Sequence, residues 1–158
     1  DLFNEVNTSL RKYVQGTLIL ASLIFVVSSL GFLISGLKAP LLFGLFCGIT
    51  DLIPYVGPYI GGAAAVIIGF SQSTFIGIMT LVVVVIVQCI ENFILQPLIM
   101  SKTMQLHPVT IIIGLLIFQH FFGILGMILA TPTIALLKVV FYFVAEKLNL
   151  FDDELVEE

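Results

Sequence analysis

Charge is scarce in this chain. Only 10% of its residues are Asp, Glu, Lys or Arg, 59% are hydrophobic, and the mean hydropathy is +1.20. That leaves too little polar surface to coat a globule in water, which excludes a soluble fold and implies an integral membrane protein. Cysteine is nearly absent too. Cys47 and Cys89 are far apart, each inside an apolar run, so they form neither a CxxC redox pair nor a zinc site and read as small packing residues. There is no GxSxG elbow, no HExxH helix and no GxxxxGK[ST] phosphate loop. The only two histidines, His107 and His120, are not spaced as a metal pair. No enzyme, metal site or cofactor is therefore expected, and nothing marks a nucleotide as the energy source. A charged, short apolar segment ending in a small-residue cleavage site is also missing, so no secretory signal is expected. The net charge of -4 gathers in "DDELVEE" at 152–158, which reads as a solvated acidic tail and speaks against nucleic acid as a partner.

What is present is long apolar runs. After a polar flank at 1–15, residues 16–36, "GTLILASLIFVVSSLGFLISG", carry no charge and are long enough to cross a hydrocarbon core of roughly 30 Å. Residues 39–70 form a second block, interrupted by "DLIPYVGP". Residues 74–96 form an uninterrupted third, with Glu91 and Asn92 near its end. The polar connection "PLIMSKTMQLHP" follows, and then a fourth block at 109–138, broken at "FFGILG" and again at Thr131-Pro132. An amphipathic stretch leads to the tail. The whole reads as one membrane domain, embedded over 16–138 and followed by an amphipathic and acidic end at 139–158.

Each interrupted block holds about 30 residues, too many for one crossing and too few for two. Two half-depth arms fit better: about 40–50 and 58–70 in the first block, about 109–121 and 127–138 in the second. Pro54 and Pro58 mark the first turn; Gly123, Gly126 and Pro132 mark the second. The alternative is a single long, kinked and tilted helix, since Pro and Gly also kink ordinary membrane helices. The expected fold class is all-α and polytopic, with two transmembrane helices and two re-entrant hairpins, an order compatible with an inverted repeat. With Arg11 and Lys12 inside, Lys102, Lys138 and Lys147 also fall inside and Lys38 alone outside, though single crossings satisfy the charge rule nearly as well.

Breaking a helix inside the slab frees carbonyls at one end and N–H groups at the next, which makes a polar site. Gly57 permits a sharp approach there and Pro58 suits the first turn of the outgoing arm. A carboxylate at mid-membrane costs on the order of 2.5–3.5 kcal/mol, so Asp51 and Glu91 should face protein or water. Asp51 reads either as a cap for the turn or as part of a substrate or ion site. Glu91 reads either as a helix-end residue or as a coupling carboxylate, with Asn92 as an oxygen ligand. Tyr55 and Tyr59 flank Gly57 and would line a polar pathway or simply pack. His107 reads as a turn-bonding residue, and His120 as a ligand contact or a packing histidine near the second turn.

Three motifs in order, "LIPYVGP" at 52–58, "ENFILQPLIMSKTMQLHP" at 91–108 and "FFGILGMILATP" at 121–132, resemble the signatures of the bacterial autoinducer-2 exporter family of PerM-like permeases. Ser101 departs from them, standing where glycine is expected. The resemblance covers about 10–145 and implies the C-terminal half of a longer, multi-pass protein of the bacterial cytoplasmic membrane; the basic residues put its C-terminus in the cytoplasm. It implies a secondary transporter that exports a small solute such as autoinducer-2 or exchanges a monovalent cation for protons. The lipid bilayer, that solute or ion, and a further copy in a homo-oligomer are the expected partners. The competing class is a non-transporting membrane scaffold or a protein of sporulation membranes.

Overall fold

The computed structural model describes residues 2–100 and 106–148; Ser101, Lys102 and the acidic stretch 152–158 lie outside the described residues. Six α-helices occur among the described residues, and no strand: α1 Leu2–Ser35, α2 Pro40–Thr50, α3 Val56–Gln72, α4 Thr74–Ile90, α5 Gln96–Met100 and α6 Pro108–Lys147. A π-helical turn, Glu91–Leu95, joins α4 to α5. By length and composition α1, Thr74–Ile99 and α6 could each cross a membrane. The described residues within 14–103 form one compact unit, and those within 1–13 and 104–158 another.

In the first unit, α1 ends at Gly36, whose φ of +80° lets Leu37 N–H reach back to the Phe32 carbonyl at 3.1 Å, a left-handed cap that turns the chain sharply. Pro40 opens α2, where its missing N–H costs nothing. The neighbours of each glycine give the helix directions. Gly44 lies against Ser29 and Gly48 against Ala21, so α2 runs back along α1. Gly57 meets the Thr50 carbonyl and Gly61 meets Cys47, so α3 runs antiparallel to α2. Gly62 meets Val84 and Gly69 meets Gly77, so α4 runs antiparallel to α3. Lipid tails are as apolar as leucine, so such close backbone approaches, rather than apolar burial, hold membrane helices together. Leu20, Ile24, Phe32, Leu37, Cys47, Ala65 and Val87 form the core. Leu33, Ile34, Leu41, Ile67 and Phe75 are exposed, as a lipid-facing surface requires.

The first interrupted block is therefore a hairpin and not a kinked span. Its outer ends are joined: Lys38 N–H donates to Gln72 Oε1 at 3.2 Å. Its inner end is the five-residue turn 51–55 that holds Pro54. The 11 residues of α2 are about 16 Å long, about half of a roughly 30 Å core. The 17 residues of α3, Val56–Gln72, make a longer arm than the half-depth expectation.

The second unit holds a hairpin of its own within α6. Gly123, at φ +63° and ψ -140°, is the only residue in α6 with a non-helical backbone. Gly114 nevertheless packs against Ile134, which a straight helix would carry about 30 Å away. The arms 108–122 and 124–147 thus double back on each other. Two expectations need correction. The second break at Thr131-Pro132 is absent: Pro132 lies inside the returning arm, and Gly126 is also helical. A proline there forfeits only the bond to the Ile128 carbonyl, a loss that membrane helices tolerate, and Thr133 Oγ1 makes a separate back-bond to the Leu129 carbonyl at 2.7 Å. The returning arm also does not stop near residue 138 but continues to Lys147, taking in most of the amphipathic stretch.

Candidate functional site

The tip of the first hairpin meets α4 at two carboxyl groups. Asp51 caps the C-terminus of α2, its N–H donating to the Cys47 carbonyl, and is buried. Glu91 opens the π-helical turn and is 3% exposed. The two carboxyls are close enough to interact directly. Around Glu91 stand two amides: Gln88 Nε2 donates to Glu91 Oε2 at 3.4 Å, and the Gln96 side chain approaches the carboxyl as well. On α1, the buried Ser28 faces the same small cavity as Cys47. A cavity of about 10 Å³ adjoins this cluster, lined among others by Ile24, Ser28, Cys47, Pro58, Gln88 and Glu91. That is room for about one water.

Local structure explains why these groups meet. Thr50 ends α2 with its hydroxyl turned onto the Cys47 carbonyl at 3.1 Å, and Ile53 and Gly57 continue the chain of backbone bonds around the turn. Tyr55 takes φ +61° and ψ -46°, a region few non-glycine residues occupy, and its ring is exposed. Gly57 is itself helical; its role is close approach, since a Cβ there would strike the Thr50 carbonyl. Pro58 falls in the first turn of α3, where no N–H is required.

Of the residues singled out from the sequence, Asp51 and Glu91 come together, with Gly57 and Pro58 shaping the tip that presents Asp51. Tyr55 and Tyr59 are exposed beside it. Asn92 is exposed, and the amides at Glu91 belong to Gln88 and Gln96 instead. His120 is exposed, in the other compact unit, with its ring edge-on to Phe121. His107 accepts from Val109 N–H at 3.3 Å through Nδ1, capping α6. Sequence reasoning missed Gln88, Gln96 and Ser28. Gln88 carried a signal, a polar residue three positions before Glu91 in an apolar helix; Gln96 did not, because five positions on is the wrong face of an α-helix.

Comparisons with known proteins give the family. The family model for AI-2E family transporters matches residues 1–146. The chain belongs to that family. It is 39% identical over 157 residues to YueF of Bacillus subtilis, covering 99% of this chain and 42% of that protein. It is 38% identical over 135 residues to YrrI of the same organism, covering 85% and 38%. It is 29% identical over 146 residues to PerM of Escherichia coli, covering 89% and 40%. The first two are named as transport proteins and the third as a permease. The chain thus spans about two fifths of the length of these curated relatives. No solved structure matches it.

Proposed function

We propose that the protein is a secondary transporter whose Asp51–Glu91 pair exchanges a proton for a monovalent cation. The observation that carries this reading is the meeting of two buried carboxyls beside a cavity of water size. An ionised carboxyl only accepts hydrogen bonds, so a proton held by either of the two can bridge the pair. When that proton leaves, facing oxygens remain, and a small hard cation is their natural partner. One site then holds one or the other, which is the logic of exchange.

Cavity size favours an ion here over an organic solute. A furanone such as autoinducer-2 has several heavy atoms where this cavity has space for about one water. Export of such a solute would use another path and draw its energy from exchange at this pair. The hairpin supplies the moving part: its tip carries Asp51, so rocking the hairpin against α4 would part the carboxyls and open the site to one side.

The test is sodium-driven proton movement in liposomes holding the full-length protein and an entrapped pH dye. Asp51→Asn and Glu91→Gln should each reduce the signal to that of empty liposomes. Undiminished signal in both would remove the pair from the mechanism, and a wild-type signal no different from empty liposomes would favour the scaffold reading.

A further inference from the structure

Residues 87–95 contain neither proline nor glycine, yet α4 widens into a π-helical turn at Glu91. Pro97, two residues past the turn, offers a partial cause, because its ring crowds the carbonyl four residues back and a wider turn relieves the clash. That accounts for the width but not for what the width accomplishes. In an α-helix of 3.6 residues per turn, residue 96 would lie about 140° around the axis from residue 91. Here Gln96 N–H donates to the Glu91 carbonyl, the i→i+5 bond of a π turn, which stacks Gln96 over Glu91. The side-chain amide is thereby brought to the same face as the Glu91 carboxyl, with which it interacts. Gln88 arrives on the same side by ordinary helical spacing, but its bond of 3.4 Å is at the long limit. Glu91 is thus held from three directions, by Asp51, Gln88 and Gln96, and the contact with Gln96 exists only because the turn is wide.

We propose that Gln96 is a positioning residue for the exchange site: the π turn delivers its amide to Glu91 and keeps that carboxyl aimed at Asp51 and the small cavity. The proposal rests on the reading of the Asp51–Glu91 pair given above. A carboxyl left without the amide would swing among rotamers, and the site would form less often without losing either charge-bearing group.

Gln96→Met keeps the length and shape of the side chain and removes only the amide. In the sodium-driven assay with the full-length protein it should raise the sodium KM by about fivefold, the ratio matching the net contribution of one hydrogen bond, and leave the maximal rate near wild type. Infrared spectroscopy gives a second readout that needs no transport. The carboxyl C=O stretch identified by its loss in Glu91→Gln should shift in Gln96→Met, while melting in detergent stays close to wild type. An unmoved KM together with an unmoved band overturns the proposal, even where Glu91→Gln abolishes flux. Full flux in Glu91→Gln would instead sink the exchange reading itself, so the two failures are distinguishable.

Discussion

Glycine does two different jobs at the two turns, and a substitution would expose each. At Gly57 the backbone is helical, and the constraint is space: an added Cβ lands on the Thr50 carbonyl, a backbone atom that cannot yield without opening the hairpin. Gly57→Ala should cost about 1–3 kcal/mol, as overpacking does, read as a lowered melting temperature in detergent. At Gly123 nothing lies within 4 Å of the position a Cβ would take, and the constraint is φ of +63° with ψ of -140°. Gly123→Ala should therefore destabilise by a similar amount, about 1–3 kcal/mol, through backbone strain alone. Gly123→Asn should recover little of it, because Asn tolerates only the left-handed helical region and this ψ lies far outside it. The same residues show what a sequence can reveal. "LIPYVGP" announces a turn, but which residue takes the positive φ is not written in it: Tyr55 does, beside a glycine better suited to it. That assignment follows from the tertiary demand that Gly57 touch α2, which no local propensity encodes.

At the scale of elements, the hairpins were legible because length is arithmetic: about 30 apolar residues with a Pro-Gly break fit neither one crossing nor two. Sequence left a kinked span as the rival, and the Lys38–Gln72 bond together with the Gly57, Gly61 and Gly114 contacts decides for doubling back. Arm lengths were less legible. α3 outruns α2, and the returning arm of α6 passes through Pro132 and on to Lys147, because a proline inside a membrane helix is tolerated where a neighbouring arm packs against it, as Gly114 does against Ile134. The π turn at Glu91–Leu95 was not legible at all, since its residues are ordinary helix formers. A labelling experiment belongs at this scale. In a background without Cys47 and Cys89, single cysteines at Lys38 and Ser73 should react with a membrane-impermeant maleimide from the same side of the bilayer. Reaction from opposite sides would mean that the chain crosses between them.

For the molecule as a whole, the sequence pointed to the right family by three motifs in order, and the match over residues 1–146 places the chain in it. The candidate site was half legible. Asp51 and Glu91 stood out because charge is rare in this chain, and isolated carboxyls inside apolar segments are costly unless used. Their meeting was not readable, since 40 residues separate them and only the hairpin brings the first to the second. The order of elements repeats as expected, a long helix and then a hairpin, twice. Sodium flux through Asp51→Asn and Glu91→Gln tests at this scale whether that architecture serves transport.

The closed mouth of the first hairpin also carries a warning for anyone mapping orientation by counting hydrophobic peaks. A segment that enters and leaves by one door adds two peaks or one, according to the window used, but never changes sides. A tally that scores it as one passage reverses the parity of everything downstream, and a reporter fused beyond residue 73 would then be assigned to the wrong compartment.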